Sequence, residues 1–269
     1  MKRLWTGLLR LVALLILSGL ALQLYFLARV ALMTVVAPQS TAFQRSEIWR
    51  LAREQHRIAW AQDWRPYAQL SRHIKHAVVA SEDANFIEHD GVEWDAIEKA
   101  WERNQRAQAL AERVNEQLRQ RQARAAERAG KRGRPAPEQA QPRLREAKLR
   151  GGSTITQQLA KNLFLSSEQN LLRKGQEFII TFMLESLLKK QRIFEIYLNN
   201  VEWGEGIFGA QAAARYYFGV DAAQLGSLQA ARLAVMLPAP KRFEKRPTSP
   251  YVMERAGTVA ARMGAVDVP

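Results

Sequence analysis

The chain has 269 residues with 40 Lys and Arg against 26 Asp and Glu, which gives a net charge of +14 at neutral pH. This length is enough for one domain with a substantial core, and the complete lack of cysteine excludes a disulfide framework and a thiolate metal site. The positive charge predicts an anionic partner, which is a nucleic acid, an anionic membrane face or a phosphorylated substrate.

The N-terminus predicts a membrane anchor. Lys2, Arg3 and Arg10 precede a nearly unbroken apolar run over residues 11–27, and about 20 helical residues cross a bilayer. A cleaved signal peptide is the alternative, but the run is long for a signal sequence and no small-residue cleavage site follows it. We therefore expect residues 1–37 to form a cytoplasmic tip and a single-pass helix. Because a basic tip stays in the cytoplasm, the rest of the chain is predicted to be periplasmic, away from nucleic acid.

An acid-rich stretch follows at residues 79–91. An apolar lead-in runs directly into five titratable side chains, which are Glu82, Asp83, Glu88, His89 and Asp90. Neighbouring carboxylates beside buried residues are costly. They indicate either a carboxylate whose pKa is tuned for proton transfer or a cation site. The alternative is a charged turn between helices that ends at Gly91.

The composition then becomes strongly basic. Residues 94–101 have a helical pattern in which Trp94, Ile97 and Trp101 share one apolar stripe. Residues 102–150 contain fourteen Lys or Arg against six Glu, a net of +8. We interpret residues 102–148 as a partly disordered insertion, with residues 130–142 disordered. It is either a solvated segment or a polybasic one that lies on anionic lipid head groups. A nucleic-acid tail is the remaining alternative, and it conflicts with the predicted location.

Glycines and hydroxyl side chains open the next helix. Two glycines precede Ser153 and Thr154, either of which can cap the helix, and the free N–H groups at a helix start suit phosphate. Gln158 and Lys161 lie three residues apart and are neighbours on one face. The order differs from that of a nucleotide P-loop, so an NTPase is not predicted. The alternative is a capped helix with a surface lysine.

Helices are predicted for residues 44–61 and for most of the chain after residue 170. Residues 171–189 form an amphipathic pattern with Arg173 and Glu177 on one face, where a weak surface ion pair is the simplest interpretation. A further helix enters a glycine-rich loop at residues 204–209, whose dinucleotide-like spacing lacks a βαβ context, so no nucleotide cofactor is predicted. The last apolar helix, residues 228–237, is expected to be buried.

Taken together, these stretches resemble the peptidoglycan glycosyltransferases, through five blocks that stand in order and cover roughly residues 40–260. The blocks are Glu82-Asp-x-x-Phe-x-x-His-x-Gly91; Gly151-Gly-Ser-Thr-x-Thr-Gln-Gln-Leu-x-Lys-Asn162; Arg173-Lys-x-x-Glu177 with Glu185; Arg192-Ile-x-Glu-x-Tyr-Leu-Asn199; and Ala231-Arg-Leu-Ala-x-Met-Leu-Pro238. The first two blocks are farther apart here than is usual in the family, because the basic insertion separates them.

The resemblance implies a mainly α, lysozyme-like glycosyltransferase domain over residues 38–269. It implies polymerisation of lipid II, a disaccharide-peptide on undecaprenyl pyrophosphate, by inverting glycosyl transfer. Glu82 matches the general base and Glu177 the second catalytic glutamate. The residues that match substrate-binding positions are Ser153, Thr154, Gln158, Lys161, Asn162, Arg173 and Lys174.

The resemblance also implies cofactors and partners. A divalent cation, Mg or Mn, is associated with the family, and Asp83 is the nearest candidate ligand. The partners implied are lipid II, the growing lipid-linked glycan, the bacterial inner membrane, and cell-wall synthesis or division proteins, with no nucleic acid.

Two other functions remain open at this point. A lysozyme-like hydrolase or lytic transglycosylase also needs an acidic residue in a helical lobe, but it has no need of three cations, and Lys161, Arg173 and Lys174 argue against it. A membrane-tethered scaffold without enzyme activity leaves the ordered acidic, hydroxyl and cationic blocks unexplained.

Overall fold

The computed structural model describes residues 2–131, 152–165 and 170–269. Within these residues the protein is mainly α-helical, as predicted, with one small three-stranded sheet. It divides into two compact units, residues 1–92 with 154–269 and residues 93–153. The larger unit contains, in chain order, α1 (Lys2–Leu32), α2 (Ala42–Gln55), β1 (Ala61–Gln62), α3 (Arg72–Glu82), α5 (Ile155–Phe164), α6 (Leu171–Leu187), α7 (Lys190–Asn200), β2 (Glu202–Gly204), β3 (Ile207–Phe208), α8 (Ala210–Phe218), α9 (Ser227–Met236), α10 (Pro240–Phe243) and α11 (Pro250–Arg262); the smaller contains α4 (Trp94–Lys131).

Helix α1 is long and apolar enough to cross a membrane, as the sequence predicts. Its 31 residues correspond to about 47 Å, and most of its side chains are exposed as far as residue 25. Phe26, Val30 and Met33, by contrast, are buried in the core of the larger unit. Gln23 exchanges two amide hydrogen bonds with Gln176 of α6, at 2.8 and 2.9 Å. The end of the predicted anchor therefore belongs to the folded domain.

The core of the larger unit is built from packed helices. Helix α3 packs on α9 and α11, and α5 packs on α6 and α7. The predicted burial of the last apolar helix is confirmed over most of α9, where Ala230, Ala231 and Ala234 let α3 approach closely. Leu228, in the first turn of α9, is exposed instead. This packing holds the end of α3 against the start of α5.

The sheet is where the predicted secondary structure was wrong. The helical pattern was expected to run over residues 44–61, but α2 ends at Gln55 because His56 adopts a left-handed conformation with φ 51°. Strand β1 then pairs parallel with β3, and β3 pairs antiparallel with β2. Gly206 has φ +76°, and a Cβ there would lie 2.5 Å from the carbonyl oxygen of Ala59. The dinucleotide-like glycine spacing thus serves a tight hairpin.

The smaller unit contains α4. The helical pattern of residues 94–101 continues to Lys131, so the first part of the predicted insertion is a regular helix. Trp94 and Trp101 were predicted to share an apolar stripe, but they are 65% and 63% exposed, while Ala100 and Ala111 are buried. The rest of the stretch predicted to be disordered, residues 132–142, lies outside the described residues.

Candidate active site

Glu82, the predicted general base, is the last residue of α3. Buried Ile74, Ala77 and Val78 anchor this helix in the core. The Oε2 atom of Glu82 accepts a 2.9 Å hydrogen bond from Nε2 of Gln158. Burial raises the pKa of Glu82 above that of an ordinary glutamate; the Gln158 hydrogen bond opposes this rise, and the negative charge of Asp83 adds to it. A carboxylate with a raised pKa is suited to accept a proton near neutral pH.

Asp83, the next residue, connects the acid-rich loop to α5 by hydrogen bonds within the protein. Its buried Oδ2 accepts a 2.9 Å hydrogen bond from the backbone N–H of Ile155, the first residue of α5. Its Oδ1 lies 2.9 Å from Nε2 of His89, and Nδ1 of His89 accepts a 3.1 Å hydrogen bond from the backbone N–H of Gly91. One backbone N–H at this helix start, a group that suits phosphate, donates to an internal carboxylate. Asp83 and His89 therefore hold the acid-rich loop on α5.

These contacts also bear on the predicted divalent cation. Both carboxylate oxygens of Asp83 and both ring nitrogens of His89 already have partners. A magnesium site needs several oxygen ligands in near-octahedral geometry. Binding of a cation by Asp83 or His89 would therefore compete with these internal contacts. The requirement for a divalent cation stays a prediction.

Thr154, one of the predicted substrate ligands, is the N-cap of α5. Its hydroxyl accepts from the backbone N–H of Gln157 and donates a 2.6 Å hydrogen bond to the carbonyl oxygen of Gly91. The Gln157 side chain returns a hydrogen bond to the Thr154 backbone, which completes a capping box. Thr154 is buried, whereas the preceding Ser153 is exposed. Of the two hydroxyls, only that of Ser153 is open to a ligand.

Gln158 joins Glu82 to a residue to which no role was assigned from the sequence. The hydroxyl of Tyr197, on α7, donates a 2.9 Å hydrogen bond to Oε1 of Gln158. Tyr197 is fully buried. Gln158 was predicted to bind substrate, but its amide is engaged at both ends inside the protein. The one sequence feature that could have indicated Tyr197 is that it belongs to the fourth motif block, residues 192–199.

The predicted cations surround Glu177 on α6. Nη1 of Arg173 donates a 2.8 Å hydrogen bond to one carboxylate oxygen of Glu177, and the Lys174 ammonium pairs with the other. The side chains of Arg173 and Glu177 are 15% and 4% exposed, so their interpretation as a surface pair was wrong. Asn170 caps α6 by accepting from the backbone N–H of Arg173, which fixes the turn that holds both cations.

Lys161 completes this cationic group from α5. Although the residue as a whole is exposed, partial desolvation of its ammonium group lowers its pKa; the charge of Glu177 opposes the fall, and those of Arg173 and Lys174 add to it. Gln158 and Lys161 are three residues apart and therefore lie on one face of α5. On this face, Gln158 contacts Glu82, and Lys161 interacts with Arg173, Lys174 and Glu177. Asn162 follows Lys161 and is half-buried.

Glu185, part of the third block, fixes the loop from the other side. Its Oε1 accepts a 2.6 Å hydrogen bond from the hydroxyl of Thr156 and lies 2.8 Å from the ammonium of Lys190. Lys190 also donates to the carbonyl oxygen of His89. The side chain of Glu185 packs directly against Gly91. Thr156 and Lys190 were not singled out from the sequence, because their role depends on contacts between distant segments.

Comparisons with known proteins agree on one family. The model of the transglycosylase family matches residues 51–125 and 138–264, which leaves residues 126–137 of the basic segment unmatched. The biosynthetic peptidoglycan transglycosylase of Paraburkholderia xenovorans (strain LB400) is 45% identical over 94% of this chain and 89% of its own length. Those of Burkholderia thailandensis and Burkholderia pseudomallei are 46% and 47% identical over 94% of this chain and 84% of their own length.

Proposed function

The chain belongs to the transglycosylase family and is a peptidoglycan glycosyltransferase, and we propose that it polymerises lipid II into glycan strands with release of undecaprenyl pyrophosphate. One observation supports this substrate most strongly. A half-buried carboxylate, Glu82, is hydrogen-bonded to Gln158 of α5. Lys161, one turn further along the same face, interacts with the charges of Arg173 and Lys174. A base and an anion site thus lie on one helical turn.

Glu82 takes the proton from the 4-hydroxyl of the acceptor sugar. The oxygen then attacks the anomeric carbon of the donor and forms the new glycosidic bond. The bond from that carbon to the pyrophosphate oxygen breaks, and the pyrophosphate leaves with the electron pair. Because attack and departure occur on opposite faces, the configuration inverts. The raised pKa of Glu82 makes it a stronger base than an ordinary carboxylate.

The cationic group stabilises the leaving pyrophosphate. Fixed positive charges aimed at developing negative charge lower the barrier without reorganisation. Lys161, Arg173 and Lys174 supply three positive charges against one negative charge from Glu177. Nε of Arg173 is buried and has no hydrogen-bond partner among the described residues, so it is a donor available for a phosphate oxygen. Glu177, the second catalytic glutamate by resemblance, orients Arg173 and Lys174.

The experiment is to incubate the purified protein with lipid II and no other enzyme. We expect polymer with wild-type protein and with Glu88→Gln, a control at an exposed acid of the same loop, and no polymer with Glu82→Gln. Cleavage of preformed glycan without polymer formation would indicate a hydrolase instead. No product of either kind under varied detergent and divalent-ion conditions would favour a scaffold.

We further propose that α1 anchors the protein in the inner membrane with the larger unit on the periplasmic side. The basic N-terminus and the exposed apolar surface of α1 support this orientation. Protease added to spheroplasts should degrade the catalytic domain, and protection would contradict the orientation. Cell-wall synthesis or division proteins are the protein partners that we propose from the family resemblance.

A further inference from the structure

A continuous chain of hydrogen bonds leads from the core to the proposed base. The fully buried Tyr197 hydroxyl donates to Oε1 of Gln158 at 2.9 Å, and Nε2 of Gln158 donates to Oε2 of Glu82 at 2.9 Å. Three elements, α7, α5 and the end of α3, meet in these two contacts.

The direction of this chain is set by the ionised carboxylate. A carboxamide has an accepting end and a donating end, a phenol can donate or accept, and an ionised carboxylate only accepts. With Glu82 ionised, the amide N–H₂ of Gln158 faces Glu82, and the amide oxygen accepts from the Tyr197 hydroxyl. If the hydroxyl is removed, the amide oxygen loses this partner, and Gln158 is held less firmly beside Glu82.

The charged surroundings make this contact important. Asp83 on the same helix end disfavours the ionised form of Glu82, and His89 faces Asp83 rather than Glu82. On α5, the charge of Lys161 interacts with the charges of Glu177, Arg173 and Lys174. Burial and the charges of Glu82 and Asp83 raise the pKa of Tyr197, so its phenol stays a neutral donor over the working range. Gln158 is the side chain that favours the ionised base.

We propose that Tyr197 is a positioning residue that, through Gln158, holds the Glu82 carboxylate oriented for proton abstraction. This inference rests on the proposed role of Glu82 as the base. It assigns to Tyr197 a function in the reaction that is separate from its contribution to the core.

The test separates kcat from KM for polymerisation of lipid II. A residue that orients the base acts on the chemical step, so Tyr197→Phe should lower kcat by about tenfold, the order of one hydrogen bond to a charged group. KM should change less than twofold. Tm is recorded for each variant, so that a loss of stability is told apart from a loss of orientation.

The matched control is Tyr217→Phe. Its hydroxyl donates a 2.8 Å hydrogen bond to the carbonyl oxygen of Trp203, so the substitution removes a comparable bond outside the proposed site and should leave kcat unchanged. If Tyr197→Phe does not fold, Gln158→Met tests the same link and should lower kcat in the same way.

An unchanged kcat, or a loss that appears in KM instead, would overturn the inference. The separate Glu82→Gln variant tells failure of the positioning role from failure of the proposed base. If Glu82→Gln is inactive and the kcat of Tyr197→Phe is unchanged, only the positioning role fails. If Glu82→Gln still polymerises lipid II, the proposed base is wrong and the positioning role fails with it.

Discussion

Gly91 is the position at which the structure makes its sharpest stability prediction. It has φ +84°, and an added Cβ would lie 2.7 Å from Cγ2 of Thr181 and 2.8 Å from Cγ of Glu185. An L-residue with a left-handed backbone costs about 1–2 kcal/mol, and overpacking costs about 1–3 kcal/mol. We therefore expect Gly91→Ala to lower the free energy of unfolding by roughly 2–5 kcal/mol, the sum of these two costs.

Thermal unfolding in detergent measures this effect. For a domain of this size, 1 kcal/mol corresponds to about 2–4 °C in Tm, so Gly91→Ala should lower Tm by roughly 4–20 °C. Gly219 has φ +68° but no atom within 4 Å of an added Cβ, so Gly219→Ala isolates the backbone cost. Gly175, helical and uncrowded, should gain up to about 1 kcal/mol on substitution by Ala. Equal Tm values for Gly91→Ala and Gly219→Ala would refute the packing argument.

Three further predictions concern charged side chains. Asp83→Asn should lower Tm equally with and without Mg²⁺, because it weakens the contacts to Ile155 and His89; a loss seen only in Mg²⁺ would indicate a metal ligand. Burial raises the pKa of Glu202 to about 8 from an ordinary 4.5, so the folded state retains a proton that the unfolded state has lost. Stability should therefore fall as pH rises from about 4.5 to about 8, and Glu202→Gln should flatten the dependence of Tm on pH; equal slopes would contradict this burial effect. Lys161→Met should lower kcat/KM by about 100-fold, as for a lost transition-state contact, whereas Lys189→Met, at an exposed lysine, should have no effect; similar kinetics for the two variants would remove Lys161 from the site.

Helices were predictable from the sequence because their signals are local. The capping pattern at Thr154, the amphipathic pattern of residues 171–189 and the apolar run of residues 228–237 predict α5, α6 and α9. The sheet was not predictable in this way. Ala61 pairs with Ile207, and no short-range pattern brings two segments so distant in sequence together.

The site was predictable as a set of residue types, but not in its geometry. Glu82 and Asp83 are adjacent in sequence, yet α3 ends between them, and the extended backbone of Asp83 turns its carboxylate to α5 while Glu82 meets Gln158. Thr154 and Gln158 were expected to bind substrate, and the structure engages both within the protein. The role of Tyr197 depends on α7 packing beside α5, which the sequence pattern did not reveal.

The central claim is that Glu82 is the base that activates the acceptor sugar. The most direct measurement is the initial rate of lipid II polymerisation by Glu82→Gln, with Glu88→Gln as control and Tm recorded for both. Loss of a general base costs about 10²–10⁴-fold in rate, so Glu82→Gln should be at least about 100-fold slower with a Tm near that of the wild type. A rate within about tenfold of wild type, at an unchanged Tm, would contradict the account.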